Sequence, residues 1–216
     1  MSWSDVARYK YVITAVFEIS LLAMAVYSLV WGSTYDFINC LFGMVLVALP
    51  VTLEAKDVLV LPFELVFIIF VDLFLYNFGI VAKLFDNMAW LWSPMMHFMS
   101  TTLIAILGLM MVIVFDYYVD EIYLPRKWLW FFILIFAMSI GVFWEILEFS
   151  ADTFLGTNMQ YSYGGVDPTD TIEDLCYDLL GGTIVAILGP LYLKYRSIEE
   201  MVRNFRIEGT MGRILG

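Results

Sequence analysis

Six long apolar stretches constrain the fold of this chain more than any other feature. Each has about the 20 residues that a helix needs to cross a bilayer. They lie near residues 11–31, 37–53, 58–80, 96–116, 128–150 and 174–194. Charged residues make up only 15% of the 216 residues, against about 25% in ordinary soluble domains. The sequence predicts an all-α polytopic membrane protein, a bundle of six transmembrane helices, and excludes a soluble enzyme domain, a disordered region and a coiled coil.

The basic residues predict how these helices are oriented in the membrane. With the N-terminus in the cytoplasm, all of the 11 Lys and Arg residues except Lys83 lie on the cytoplasmic side. The cytoplasmic ones are Arg8, Lys10, Lys56, Arg126, Lys127, Lys194, Arg196, Arg203, Arg206 and Arg213. We therefore expect a multi-pass protein of the cell membrane with both termini cytoplasmic. Residues 1–194 are predicted to form one membrane domain, followed by a basic cytoplasmic tail, 195–216, along the inner surface.

The charge balance and the cysteines limit the partners. A net charge of −11 argues against nucleic acid, which requires a basic surface. The two cysteines, Cys40 and Cys176, have neither disulfide-framework nor zinc-site spacing, so free thiols are expected. Membrane lipid is the predicted partner, with the oligomeric state left open.

Acidic residues gather where the last two predicted helices meet the outer side. They fall on one face of each helix because they are spaced three or four residues apart. One set is Glu145, Glu148 and Asp152, and the other is Asp170, Asp174 and Asp178. His97, which is the only histidine, opens the fourth predicted span on the same side. The sequence therefore predicts that one imidazole and about six carboxylates converge at the level of the outer leaflet.

So many carboxylates cannot all remain ionised at close range without a counter-charge. Either some are protonated and share hydrogens, or a cation lies among them, because no Lys or Arg occurs between residues 128 and 193. Carboxylates with one histidine suit Mg²⁺, Mn²⁺ or Ca²⁺ better than Zn²⁺. The predicted metal ligands are His97, Glu145, Glu148, Asp170, Asp174 and Asp178. Glu148 or Asp174 is the candidate catalytic general base.

Some of these acids also have simpler interpretations. Asp167-Pro168 is typical of a helix N-cap followed by proline, and Asp170 then falls in the first turn, where acids favour the helix dipole. Asp152 is equally consistent with the solvated end of the fifth span. Glu173 points away from the acidic face and is expected to be solvated.

Three segments resemble the YjdF-type bacterial inner-membrane proteins and, more distantly, the VanZ-like family linked to glycopeptide resistance. They are His97-Phe98, Trp144-Glu145-Ile146-Leu147-Glu148, and Gly165-Val166-Asp167-Pro168-Thr169-Asp170-Thr171 followed by Asp174, Asp178 and Gly181. The resemblance covers about residues 84–190 and implies a site at the histidine and acids named above. Glu148 and Asp178 stand where VanZ-like proteins often have Gln and Asn, which makes this site more acidic.

Three functions are compatible with this pattern. The first is a metal-dependent enzyme that acts on a lipid-linked or envelope substrate at the outer leaflet. The second is a cation or proton-coupled transporter or binding protein, since stacked acids within a membrane can relay protons or cations. The third is a structural membrane protein whose acidic rim binds Ca²⁺. No Ser-His-Asp order, HExxH motif or phosphate-binding glycine loop is visible, so the sequence does not decide whether the protein is an enzyme.

Overall fold

The computed structural model describes residues 3–56, 58–119, 124–160 and 168–194. Within these ranges the chain is helical and has no strand. Six of its helices are long and apolar enough to cross a membrane, which confirms the predicted six-span fold. The cytoplasmic position of both termini stays a prediction, and the predicted basic tail, 195–216, lies outside the described residues.

The helices begin and end near the predicted boundaries, with three informative differences. The helices are α1 (Trp3–Trp31), α2 (Thr34–Ala55), α3 (Phe63–Val81), the short α4 (Leu84–Asn87), α5 (Ala89–Tyr118), α6 (Leu129–Leu155) and α7 (Pro168–Tyr192). Helix α3 begins at Phe63 instead of near 58, because the residue before Pro62 avoids helical geometry. Helix α5 begins at Ala89 instead of near 96 and includes Pro94. Helix α7 begins at Pro168 instead of near 174, which adds more than one turn.

The chain divides into two compact units, of which the first ends at Lys83 and contains α1, α2 and α3. Each of these three helices packs against the other two. At one end the buried Lys10 Nζ lies 2.6 Å from Glu54 Oε2 and donates to the Leu61 carbonyl at 2.7 Å. At the other end Lys83 Nζ lies 2.8 Å from Asp36 Oδ2. The prediction of a single membrane domain over 1–194 stays a prediction.

The second unit begins at Leu84, and in it α5, α6 and α7 pack against one another in all three pairs. Glycines permit this close approach. A Cβ atom on Gly181 of α7 would lie 2.7 Å from the Phe98 carbonyl oxygen of α5. A Cβ atom on Gly141 of α6 would overlap the Asp178 carboxylate of α7. The three helices therefore meet closely at the level where the sequence places the acids.

Candidate metal centre

His97 of α5 lies among carboxylates from both neighbouring helices. Its Nε2 atom is 3.4 Å from Asp174 Oδ2 and 3.7 Å from Glu145 Oε1. Its Nδ1 atom is 3.2 Å from Asp178 Oδ1. The His97 side chain is 10% exposed, and none of these three carboxylates exceeds 5%. One imidazole thus joins α5, α6 and α7 in a buried polar cluster.

Four side chains of this cluster bring one ligand atom each to within 4.8 Å of one another: His97, Glu145, Glu148 and Asp174. We call these four residues the His/carboxylate cluster. The sequence predicted six ligands, and the remaining two, Asp170 and Asp178, lie outside this group. Asp178 contacts the opposite edge of the imidazole, and Asp170 lies in the first turn of α7, as the capping interpretation expects. Asp167 lies outside the described residues.

Hydroxyl and indole groups hold the carboxylates in place. Ser93 Oγ donates to Asp174 Oδ2 at 3.1 Å, and Trp144 Nε1 donates to Glu148 Oε1 at 2.6 Å. Thr101 Oγ1 donates to Asp178 Oδ1. Ser93 and Thr101 were not predicted as site residues, although helical spacing marks both: they lie one turn before and one turn after His97, on its face of α5. Trp144, noted only as part of a family motif, likewise lies one turn before Glu148.

Glu145 differs from the other acids because neither of its carboxylate oxygens, both buried, makes a well-formed hydrogen bond among the described residues; the Thr171 hydroxyl of α7 is the one donor that faces this carboxylate. The Oε1 atom of Glu145 lies 3.7 Å from His97 Nε2, which is too long for a hydrogen bond. Burial of an ionised carboxylate without donors is costly. A cation shared with Glu148 and Asp174 would satisfy these oxygens, so the residues present fit a divalent metal ion.

Asp152 lies on the predicted acidic face of α6 but has a different partner set. Its carboxylate accepts from Thr157 Oγ1 at 2.5 Å, from the Met159 amide at 2.7 Å and from the Gln160 amide at 2.9 Å. Asp152 therefore holds the segment that follows α6 against the end of that helix. The buried Gln160, also missed by the sequence analysis, then donates from Nε2 to Thr171 Oγ1 of α7 at 2.8 Å.

All members of the cluster lie inside their helices and not at the ends. His97 is more than two turns from the start of α5, Asp174 almost two turns from the start of α7, and Glu145 almost three turns from the end of α6. These distances correspond to about 9–15 Å along the helices. His97 was predicted at the outer end of the fourth span. Because α5 begins at Ala89, His97 lies inside this helix instead.

One known protein family matches most of the chain. A family model described as predicted membrane protein DUF2238 matches residues 12–195. The chain belongs to the DUF2238 family. The YjdF-type resemblance is to this same family, whereas the likeness to VanZ-like proteins is not supported. The matched range contains the whole His/carboxylate cluster of this DUF2238 protein. No curated protein and no solved structure matches the chain.

Proposed function

We propose that this DUF2238 protein binds a divalent cation in the His/carboxylate cluster and acts as a metal-dependent membrane enzyme. The observation that carries the proposal is the buried Glu145 carboxylate, whose two oxygens make no well-formed hydrogen bond and which faces three other potential ligands within 4.8 Å. A cation would neutralise the excess negative charge of the cluster and satisfy both Glu145 oxygens. Three carboxylates and one imidazole favour Mg²⁺, Mn²⁺ or Ca²⁺ over Zn²⁺.

The proposed chemistry is transfer or hydrolysis at a phosphoryl or ester group. A divalent cation at this site supplies Lewis acidity toward a phosphoryl or ester oxygen. Glu148 and Asp174 are the candidate general bases, and Trp144 and Ser93 hold one oxygen of each in a fixed orientation. With the orientation that the basic residues predict, the cluster faces the outer leaflet. A lipid-linked phosphate or an envelope glycolipid is therefore the proposed substrate class.

The alternative function, transport of protons or cations, requires ionisable groups that continue beyond the cluster. Within the second unit, the middle segments of α5, α6 and α7 contain none. Residues 98–115 of α5, 129–144 of α6 and 179–191 of α7 contain no Asp, Glu, His, Lys or Arg. We therefore favour an enzyme, or a protein that binds a cation at one side of the membrane, over a relay along these helices.

The metal content of the purified protein tests the proposal. We expect about one Mn²⁺ to bind per chain after dialysis against Mn²⁺, measured by mass spectrometry of the metal. Asp174→Asn, Glu145→Gln and His97→Ala should each lower the affinity about 10-fold or more, because each removes one of few ligands. Glu173→Gln is the matched control, because Glu173 neighbours Asp174 on α7 but is exposed. A parent protein that binds no Mn²⁺, Mg²⁺ or Ca²⁺ would contradict the proposal.

The enzymatic part has its own readout in the same samples. Proteoliposomes that contain a long-chain lipid phosphate should release inorganic phosphate in the presence of the bound cation. Glu148→Gln should lower the rate about 100-fold or more if Glu148 is the general base. A protein that binds the cation but turns over neither a lipid phosphate nor a lipid ester would support the calcium-stabilised structural protein instead.

A further inference from the structure

We infer that Asp178 is a positioning residue that holds Nδ1 of His97, so that Nε2 is the nitrogen that binds the cation. This inference rests on the proposed function, because it assigns one atom of the same site. It also gives Asp178 a role that differs from the direct ligand role predicted from the sequence.

The two edges of the His97 ring face different carboxylates. On one edge Nε2 faces Asp174 at 3.4 Å and Glu145 at 3.7 Å, and both acids belong to the His/carboxylate cluster. On the other edge Nδ1 faces Asp178 Oδ1 at 3.2 Å, and Asp178 is not part of that cluster. The imidazole therefore separates Asp178 from the proposed cation site.

The hydrogen chemistry of imidazole then determines which nitrogen is free. A neutral ring has one N–H donor and one nitrogen with a lone pair. An ionised carboxylate only accepts hydrogen bonds, so Asp178 favours the proton on Nδ1 and leaves the lone pair on Nε2. Metal-binding histidines in proteins commonly donate their second N–H to a carboxylate in this way, which fixes the tautomer and the orientation of the ring.

Two other helices fix Asp178 in turn. Thr101 of α5 donates its hydroxyl to the same oxygen, Oδ1, that contacts His97. On the other side Oδ2 lies against Gly141 of α6, where any Cβ atom would overlap the carboxylate. Asp178 is fully buried, so no bulk water competes for Oδ1. Thr101 and Gly141 thus hold the residue that orients the proposed ligand.

His97 is the only histidine of the chain, so ¹⁵N-labelled histidine gives the NMR signals of a single ring. We use Zn²⁺ as a diamagnetic probe of the site. At a pH at which the metal-free ring is neutral, we expect a proton on Nδ1 and a lone pair on Nε2, and on addition of Zn²⁺ we expect the Nε2 signal to move. Asp178→Ala should abolish the tautomer preference and weaken Zn²⁺ binding about 10- to 100-fold.

A pair of neighbouring threonines provides the matched control and a milder variant. Thr101→Val removes the hydroxyl that holds Asp178 and should weaken Zn²⁺ binding a few-fold with a mixed tautomer. Thr102→Val makes the same chemical change one residue away, where the hydroxyl only donates to the Phe98 carbonyl, and should change neither. Thr101→Ser retains the hydroxyl and should restore binding.

The outcomes distinguish the inference from the proposed function. Binding of Zn²⁺ through Nδ1, or an unchanged tautomer and affinity in both Asp178→Ala and Thr101→Val, would overturn the role of Asp178 while the cation site stands. If none of the diamagnetic ions Zn²⁺, Mg²⁺ and Ca²⁺ moves a nitrogen signal, the proposed cation site at His97 is overturned. In that case the spectra of the metal-free protein still test the contact between Asp178 and His97. A proton on Nδ1 that Asp178→Ala removes supports this contact, and an Nδ1 atom without a proton contradicts it.

Discussion

At the residue scale, Lys10 has a role that its position in the sequence does not indicate. The positive-inside pattern predicts a cytoplasmic charge at Lys10, but this residue is 4% exposed and is neutralised by Glu54, which is 44 residues away. Lys83, the predicted outer cation, likewise contacts Asp36 across 47 residues. Sequence patterns predict which side of the membrane holds a charge, but a partner this distant depends on how the helices pack.

Lys10→Met should destabilise the protein, because it leaves the Glu54 carboxylate without its cation and the Leu61 carbonyl without its donor. We expect a loss of about 2–3 kcal/mol in the free energy of unfolding, less than for a fully buried pair since Glu54 is partly exposed. Lys56→Met is the control, because Lys56 is exposed; it should change stability by less than about 0.5 kcal/mol. Chemical denaturation in detergent measures both, and equal effects would contradict the argument.

At the scale of helices, the length of the apolar stretches predicted all six spans. The exact start of α5 and the contacts among polar side chains could not be predicted in this way. The fourth span was predicted near 96–116, but α5 begins at Ala89 and includes Pro94, which membrane helices tolerate. The stripes of acids predicted that α6 and α7 share a polar face with His97. Helical periodicity places Asp174 and Asp178 on the same face of α7. Only the packing of α5, α6 and α7 shows that Asp174 belongs to the cluster, whereas Asp178 lies at the other edge of the His97 ring.

Gly181 and Gly182 of α7 allow the contact between helices to be tested directly. Gly181→Ala should destabilise the protein by about 1–3 kcal/mol, because its Cβ atom would lie 2.7 Å from the Phe98 carbonyl oxygen and force α5 and α7 apart. The same movement should lower Mn²⁺ affinity, since Phe98 neighbours His97.

Gly182→Ala is the control for this change. Its Cβ atom would meet side-chain carbons of Ala137 and Leu134 at 3.3 Å and of Thr101 at 4.0 Å, so the neighbours must shift by only a few tenths of an ångström. We expect a smaller loss of stability and unchanged Mn²⁺ affinity. Thermal unfolding and metal titration of the two variants provide the comparison, and a larger effect of Gly182→Ala would refute the proposed contact between α5 and α7.

At the scale of the whole molecule, orientation decides which substrates can reach the cluster. The segment after α6 lies at the same end of that helix as Glu145 and Glu148, and Asn158 within it is exposed. The distribution of Lys and Arg predicts that this end faces outward. The side on which Asn158 reacts therefore reports the side on which the cluster opens.

Single-cysteine labelling measures this orientation. In a background with Cys40→Ala and Cys176→Ser, Asn158→Cys should react with a membrane-impermeant maleimide in intact cells. A cysteine appended after Gly216 should react only after the cells are permeabilised. The reverse pattern would place the cluster on the cytoplasmic side and exclude envelope glycolipids as substrates.

The apolar segments that continue α5, α6 and α7 beyond the cluster have an electrical consequence. They extend for about 20 Å or more without a charged side chain. An ion would have to lose its hydration to enter such a layer, which is strongly unfavourable. We therefore expect this unit to hold a highly charged site in an energised membrane without conducting ions across it.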